Sequence, residues 1–268
     1  MKIGIIGNGF VGGATALLEC EGNDVRIYDL DPDKCKPRDF SLDDLYDCHI
    51  VFICVPTPMK EDGSCDLSFV ENAVEEATKK VRRTRLVIRS TVPVGTSQSL
   101  GVCVMPEFLT ETNWKNDFIN CKNWIIGADS PMATKTSLKV AKAFKTAQKY
   151  GKIKHCNISV CTTKEAELVK LVRNTFLATK VSFFNEVASF CKSRDISYEN
   201  ILEGVTMDKR IGSSHTSVPG PDGKKGFGGK CFPKDVSSLR GQMVQAKIDP
   251  HIINAVLFRN EIDRVNHE

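Results

Sequence analysis

The sequence predicts a doubly wound α/β domain over residues 1–160 followed by a helical domain over 161–268, and three observations carry that expectation. Short apolar runs at 2–6, 25–28, 50–54, 86–88, 102–105 and 124–126 alternate with amphipathic stretches at 11–20, 68–82 and 132–149, the strand and helix alternation of a parallel sheet. A glycine-rich turn, GNGFVG, sits between the first apolar run and the first helical stretch. Residues 163–194 contain neither proline nor glycine, and Ala166, Leu168, Val169, Leu171, Val172, Phe176, Val181, Phe184, Val187 and Phe190 recur with helical period.

A chain of 268 residues that is 41% hydrophobic can bury one good core or two modest ones, which agrees with two units. The net charge of +4, from 37 basic and 33 acidic residues, is spread along the chain. Nucleic acid and membrane surfaces are therefore not expected partners, whereas anionic small molecules are. Residues 1–6 start a strand pattern rather than a signal peptide, and charged residues interrupt every apolar segment before it reaches the length of a membrane span. A cytoplasmic protein is expected. The eleven cysteines are odd in number, and several, Cys54 and Cys103 among them, lie in apolar runs, so a disulfide scaffold is not expected.

The helix over 163–194 has a length of roughly 45 Å at about 1.5 Å per residue, more than one small domain needs to cover its own core. A bridge between domains or subunits is the expectation. Residues 212–229 are rich in glycine, proline and serine, and helix-compatible sequence follows to Glu268. Eighteen such residues within a compact chain read as either a functional loop or a disordered one.

GNGFVG places Gly7, Gly9 and Gly12 after a strand, with Phe10 and Val11 opening a helix. That context is required of a Rossmann-like dinucleotide turn, where glycines allow the tight bend and close approach of backbone to pyrophosphate. An ordinary glycine turn is the plainer alternative. Asp29 ends the second strand about twenty residues on, where a carboxylate accepts hydrogen bonds from ribose hydroxyls. NAD is thus favoured over NADP, with Lys34 and Arg26 near enough in sequence to soften the preference. In GFGGKCFPKD, Cys231 precedes Pro233 by two residues and so falls in the first turn of a helix. The helix terminus, Lys230 and Lys234 would stabilise the thiolate, and Asp235 lies one turn on, placed to act on water or a proton. A structural cysteine remains the alternative.

Together these segments resemble the UDP-glucose/GDP-mannose dehydrogenase family. Further matching pieces are VPTP at 55–58, DGSCDLS at 62–68, STVPVG at 90–95, PEFLTE at 106–111, KLVRNTFLA at 170–178 and RIG at 210–212. The resemblance implies oxidation of a sugar C6 alcohol to a carboxylate with two NAD and one water, through a thiohemiacetal and a thioester on Cys231. It further implies that Lys170 and Asn174 stabilise oxyanion charge, that Asp235 and Glu107 position or activate water, and that Thr91 helps hold the water. Val55, Pro56, Thr57, Thr91, Lys34 and Lys234 join the glycines and Asp29 as cofactor-binding residues. Phe108, Leu109, Glu111, Phe227, Gly228 and Gly229 would grip the sugar nucleotide with Lys170 and Asn174, and Arg210 would reach a diphosphate across a homodimer. Metal is not implied. A solvated helical face for Lys170 and Asn174, and loop charges for Glu107 and Glu111, are the plain rivals.

The resemblance implies a nucleotide-sugar substrate, UDP-glucose foremost. Full-length members continue into a third domain that holds the base, so a reduced or partner-completed site is expected. A weakly active NAD-binding dimerisation module is the competing reading, and single-step hydroxyacid dehydrogenases, which share the glycine turn, have no need for Cys231. The Asp29 reading predicts tighter binding of NAD than of NADP in paired titrations, with Asp29→Asn narrowing the gap. Equal or tighter NADP binding by the unaltered chain would count against it.

Overall fold

Seven strands form one sheet: β1 (Lys2–Ile6), β2 (Asp24–Tyr28), β3 (Ile50–Ile53), β4 (Leu86–Ile88), β5 (Cys103–Val104), β6 (Asn123–Gly127) and β7 (Asn157–Cys161), in the order β2-β1-β3-β4-β5-β6-β7. The computed structural model describes residues 1–129 and 131–265, with 131–133 described by backbone alone. The expected continuation of the last helix to Glu268 runs past these described residues.

Six strands lie where apolar runs predicted them. The seventh, β7, carries Ile158 and Val160 alternating with polar residues on a largely exposed edge, and so lacks the continuous apolar run of a strand buried on both faces. The sheet is parallel except between β5 and β6, where Val104 pairs antiparallel with Gly127. That one pair departs from the otherwise parallel sheet that the alternation predicts. The segment between β5 and β6 includes α4 (Trp114–Asn120), at seven residues, which spans only about 10 Å. Being antiparallel to β5, β6 runs back from the side toward which β5 points.

Alternation along the strands builds two cores. Ile3, Ile5, Ile50, Phe52, Val87, Cys103 and Met105 pack with Phe118 of α4 and with Val140, Ala143 and Phe144 of a 19-residue helix. Val51, Ile53, Leu86, Ile88 and Val104 face Val70, Val74 and Ala77 on the other side. The helices are α1 (Phe10–Ala16), α2 (Ser68–Thr78), α3 (Thr96–Leu100), α4, α5 (Pro131–Lys149), α6 (Thr163–Ser193), α7 (Tyr198–Thr206), α8 (Phe232–Gln245) and α9 (His251–Val265).

The chain divides into two units, one of Met1–Pro58 with Cys65–Lys170, the other of Met59–Ser64 with the chain from Leu171 onward. The division falls inside α6, ten residues beyond the expected 160, because α6 is continuous through it. A reciprocal box opens α6: Glu165 accepts from the Thr162 N–H at 2.8 Å, and the Thr162 hydroxyl accepts from the Glu165 N–H at 3.3 Å. At its other end Asp195 takes φ 53° and the Ile196 N–H bonds the Cys191 carbonyl at 3.0 Å, a left-handed stop. Among the described residues no helix is long and apolar enough to cross a membrane.

Candidate active site

The glycine turn follows β1 at the carboxyl edge, where the order of connection reverses between β2 and β3. Gly7 has φ +92°, and a Cβ there would lie 2.8 Å from the Cys54 carbonyl; one on Gly12 would lie 1.9 Å from the Gly7 carbonyl. These two glycines are required by the protein's own packing. At Gly9 a Cβ meets nothing within 4 Å, so the space beside it suits a ligand. The Asp29 carboxylate accepts from the Asn8 N–H at 2.6 Å and the Asp31 N–H at 3.0 Å, which orients it against the turn. Lys34 is turned to Asp31, 3.3 Å away. Phe10 and Val11 are the first two residues of α1.

After β3, the Val55 carbonyl accepts from the Ser90 hydroxyl at 2.6 Å. This ties the segment carrying Pro56 and Thr57 to the one carrying half-buried Thr91. An open Gly9, an oriented carboxylate and linked loops at the carboxyl edge fit a dinucleotide, whose pyrophosphate the glycine turn would hold.

In the same unit, Lys170 of α6 donates to Glu107 at 2.8 Å, and both are nearly fully buried, at 3% and 4% exposure. The second Glu107 oxygen accepts from the Leu109 N–H, and the Lys170 ammonium lies 5.7 Å from the centre of the Phe108 ring. Neither the solvated-face nor the loop-charge alternative describes this pair. Glu111 is exposed on the following loop.

In the second unit, Asn174 donates to Asp235 at 2.6 Å, and Lys234 donates to the other Asp235 oxygen at 2.6 Å. Asp235 is 1% exposed. The ammonium of Lys234, expected to support the thiolate and to bind cofactor, is thus committed to Asp235. Cys231 is the half-buried N-cap of α8, with Pro233 in the first turn, and its carbonyl accepts from the Asp235 N–H at 2.9 Å. The helix N-terminus presents a positive partial charge there.

The glycine-rich segment before Cys231 has no helix or strand yet is held at several points. Asn185 of α6 accepts from the Gly226 N–H at 3.1 Å, and Asn260 of α9 accepts from the Phe227 N–H at 2.6 Å. Arg264 donates to the Phe227 carbonyl at 3.0 Å and to Asp222 at 2.7 Å. These bonds fit the functional alternative for this loop better than the disordered one. Phe227 is 3% exposed, and its N–H and carbonyl are bonded by Asn260 and Arg264 of α9. Gly228 sits under the Arg264 guanidinium, which a Cβ would meet at 2.4 Å, whereas Gly229, at φ +73°, opens to unoccupied space. Arg210 is exposed and forked onto Asp208, whose pKa it lowers through that hydrogen bond.

Comparison with known proteins decides the family. Residues 36–147 match the NAD binding domain of the UDP-glucose/GDP-mannose dehydrogenase family, and residues 164–262 match its central domain. The chain belongs to the UDP-glucose/GDP-mannose dehydrogenase family. NAD is the cofactor of the matched domain. The UDP-glucose 6-dehydrogenase of Pseudomonas aeruginosa is 32% identical over 307 residues, covering 97% of this chain and 65% of that enzyme. The Rickettsia prowazekii enzyme of the same name is 32% identical over 246 residues, covering 87% of this chain and 54% of its own length. A UDP-glucose dehydrogenase structure from Pyrobaculum islandicum superposes with a TM-score of 0.83 at 27% identity, covering 97% of this chain and 68% of that one. The chain therefore spans between about half and two thirds of these curated relatives.

Sequence reasoning passed over several residues that build the site: Asn8, Ser90, Asn185, Asn260 and Arg264 as clamps, and Arg89, buried at 0% exposure. Only Arg89 left a signal, a charge directly after the buried run 86–88 and directly before the STVPVG match. Glu107→Gln leaves Lys170 buried without its anion and is expected to cost about 3–5 kcal/mol, read by urea unfolding. A loss below about 1 kcal/mol would mean that the pair is solvated.

Proposed function

We propose that this chain is the NAD-binding and catalytic portion of a nucleotide-sugar 6-dehydrogenase, acting on UDP-glucose to give the uronate. The observation that carries the reading is Cys231 at the N-cap of α8, one turn before a buried Asp235 bonded to Asn174. Bound NAD supplies the hydride acceptor, one molecule for each of two oxidations.

The chain's own residues would act around that chemistry. The thiolate of Cys231, favoured by the helix terminus, adds to the aldehyde carbon, forming a C–S bond and an oxyanion. Loss of a hydride from that carbon leaves a thioester, and water then releases the acid and restores the thiol. The Lys170 ammonium and Asn174 amide, both pre-oriented by buried partners, are the donors for oxyanion charge. Glu107 and Asp235 are the carboxylates proposed to position or activate water, and Thr91 the hydroxyl proposed to help hold it. Phe108, Leu109, Glu111, Phe227, Gly228 and Gly229 remain proposed substrate contacts. A cytoplasmic setting belongs to the same reading.

With UDP-glucose, the unaltered chain is expected to form two NADH per sugar, and Cys231→Ala to lose that turnover while still binding NAD. An alanine variant that kept the two-to-one stoichiometry at near unaltered rate would remove the covalent mechanism. An inert wild type that binds NAD would favour the module that needs a separate substrate-binding partner.

We also propose a homodimer packed through α6. Val172, Phe176, Phe183 and Phe190 stand 48%, 66%, 58% and 58% exposed along it, an apolar stripe of the kind that a second copy covers. Arg210, exposed and bonded to its neighbour Asp208, is the residue proposed to reach the partner's diphosphate. Light scattering at micromolar concentration is expected to give twice the chain mass, with Phe176→Lys shifting it to monomer. A monomeric unaltered chain, with or without NAD, would remove the dimer.

A further inference from the structure

The register of the central strands sets Ile53 beside Ile88 and Ile88 beside Val104. The next residues, Cys54, Arg89 and Met105, therefore stand abreast at the carboxyl edge, and alternation turns all three toward α1, α4 and α5. Cys54 and Met105 are core residues there. Arg89 lies between them at 0% exposure, its guanidinium 5.8 Å from the Phe118 ring centre. None of its three side-chain nitrogens has a hydrogen-bond partner. An isolated charge in such a place is costly, and an aliphatic residue would complete the row of Cys54 and Met105 without that cost.

The charge is not balanced locally. Burial lowers the Arg89 pKa from its ordinary value, opposed by the thiols of Cys54 and Cys121 and by the Glu107 carboxylate, but a guanidinium stays protonated in proteins. Burial pushes the Cys54 thiol up to about 11, so it is neutral near pH 7. Glu107 is already bonded to Lys170. Arg89, Lys170 and Glu107 together carry one positive charge in excess.

That excess lies at the ligand edge of the sheet. Asp29, at the end of β2, takes the adenosine ribose in the reading above, so a dinucleotide crossing the reversal point extends its other half toward β3, β4 and β5. The nicotinamide ring of that half carries one positive charge when oxidised and none when reduced. We propose that Arg89 is a buried electrostatic residue that weakens binding of oxidised NAD relative to NADH, and thereby favours hydride transfer from substrate to cofactor. The proposal rests on the NAD reading and goes beyond it by assigning a residue to the direction of the reaction.

Binding tests it without turnover. The unaltered chain, Arg89→Met and Arg89→Lys are titrated with NAD and with NADH by calorimetry, and melted without cofactor. Arg89→Met is expected to shift the affinity ratio toward NAD by roughly three- to tenfold without lowering Tm, and Arg89→Lys to keep the original ratio. Between about 50 and 500 mM salt the unaltered ratio should change less than about twofold, since a buried charge is poorly screened. An unchanged ratio in folded Arg89→Met overturns the proposal. A lowered Tm in both Arg89→Met and Arg89→Gln, or failure of both to fold, also overturns it, because Arg89 is then a structural support. Flat titrations of the unaltered chain with both cofactor forms overturn the NAD reading itself, and this inference with it.

Discussion

One face of α6 carries polar contacts that fasten several segments of each unit. Glu167, Lys170, Asn174 and Asn185 are all buried, and their spacings of three, four and eleven residues keep them on one side of the helix. Each claims a different segment within its own unit. Glu167 accepts from the N–H groups of Gly95 and Ser97 at 2.6 and 2.7 Å, Lys170 takes Glu107, Asn174 takes Asp235, and Asn185 takes the Gly226 N–H. A buried polar group without a partner costs about 1–3 kcal/mol, more when charged. Moving any of these segments alone is therefore opposed by its contact on the helix.

The glycine turn shows a second constraint of the same kind. Backbone meets backbone at Gly7 and Gly12, where any side chain would collide with the Cys54 or Gly7 carbonyl. Asp29 then pins the turn from the neighbouring strand through the Asn8 N–H. The turn is thus shaped before ligand arrives, and Gly9 alone of the three faces open space. Preformed donors need little reorganisation on binding.

Stability and function pull differently at the two kinds of buried charge. Lys170 and Glu107 satisfy one another, whereas Arg89 makes no hydrogen bond through its side chain. A fold selected only for stability would favour an apolar side chain in that row, since its neighbours there are Cys54 and Met105 on the sheet and Phe118 of α4. The same row also shows how register converts sequence into placement. A shift of one residue in β4 would turn Arg89 to the opposite core, with its aliphatic partners from α2.

The sequence by itself determined the strand and helix alternation, the long helix from Thr163, the glycine turn and the place of Cys231 at a helix start. All of these are encoded within a few residues, by side-chain period, by the absence of Pro and Gly, or by turn chemistry. Family resemblance added names for Lys170, Asn174, Glu107 and Asp235 but not their partners. Tertiary structure decided that Lys170 spends its charge on Glu107, 63 residues away, and that Asn174 holds Asp235 across 61. It also turned β6 antiparallel, added β7 at an exposed edge, and closed the glycine-rich loop with Asn260 and Arg264 of α9. Those outcomes depend on which distant groups can satisfy a buried donor or acceptor at once, a condition that no local pattern contains.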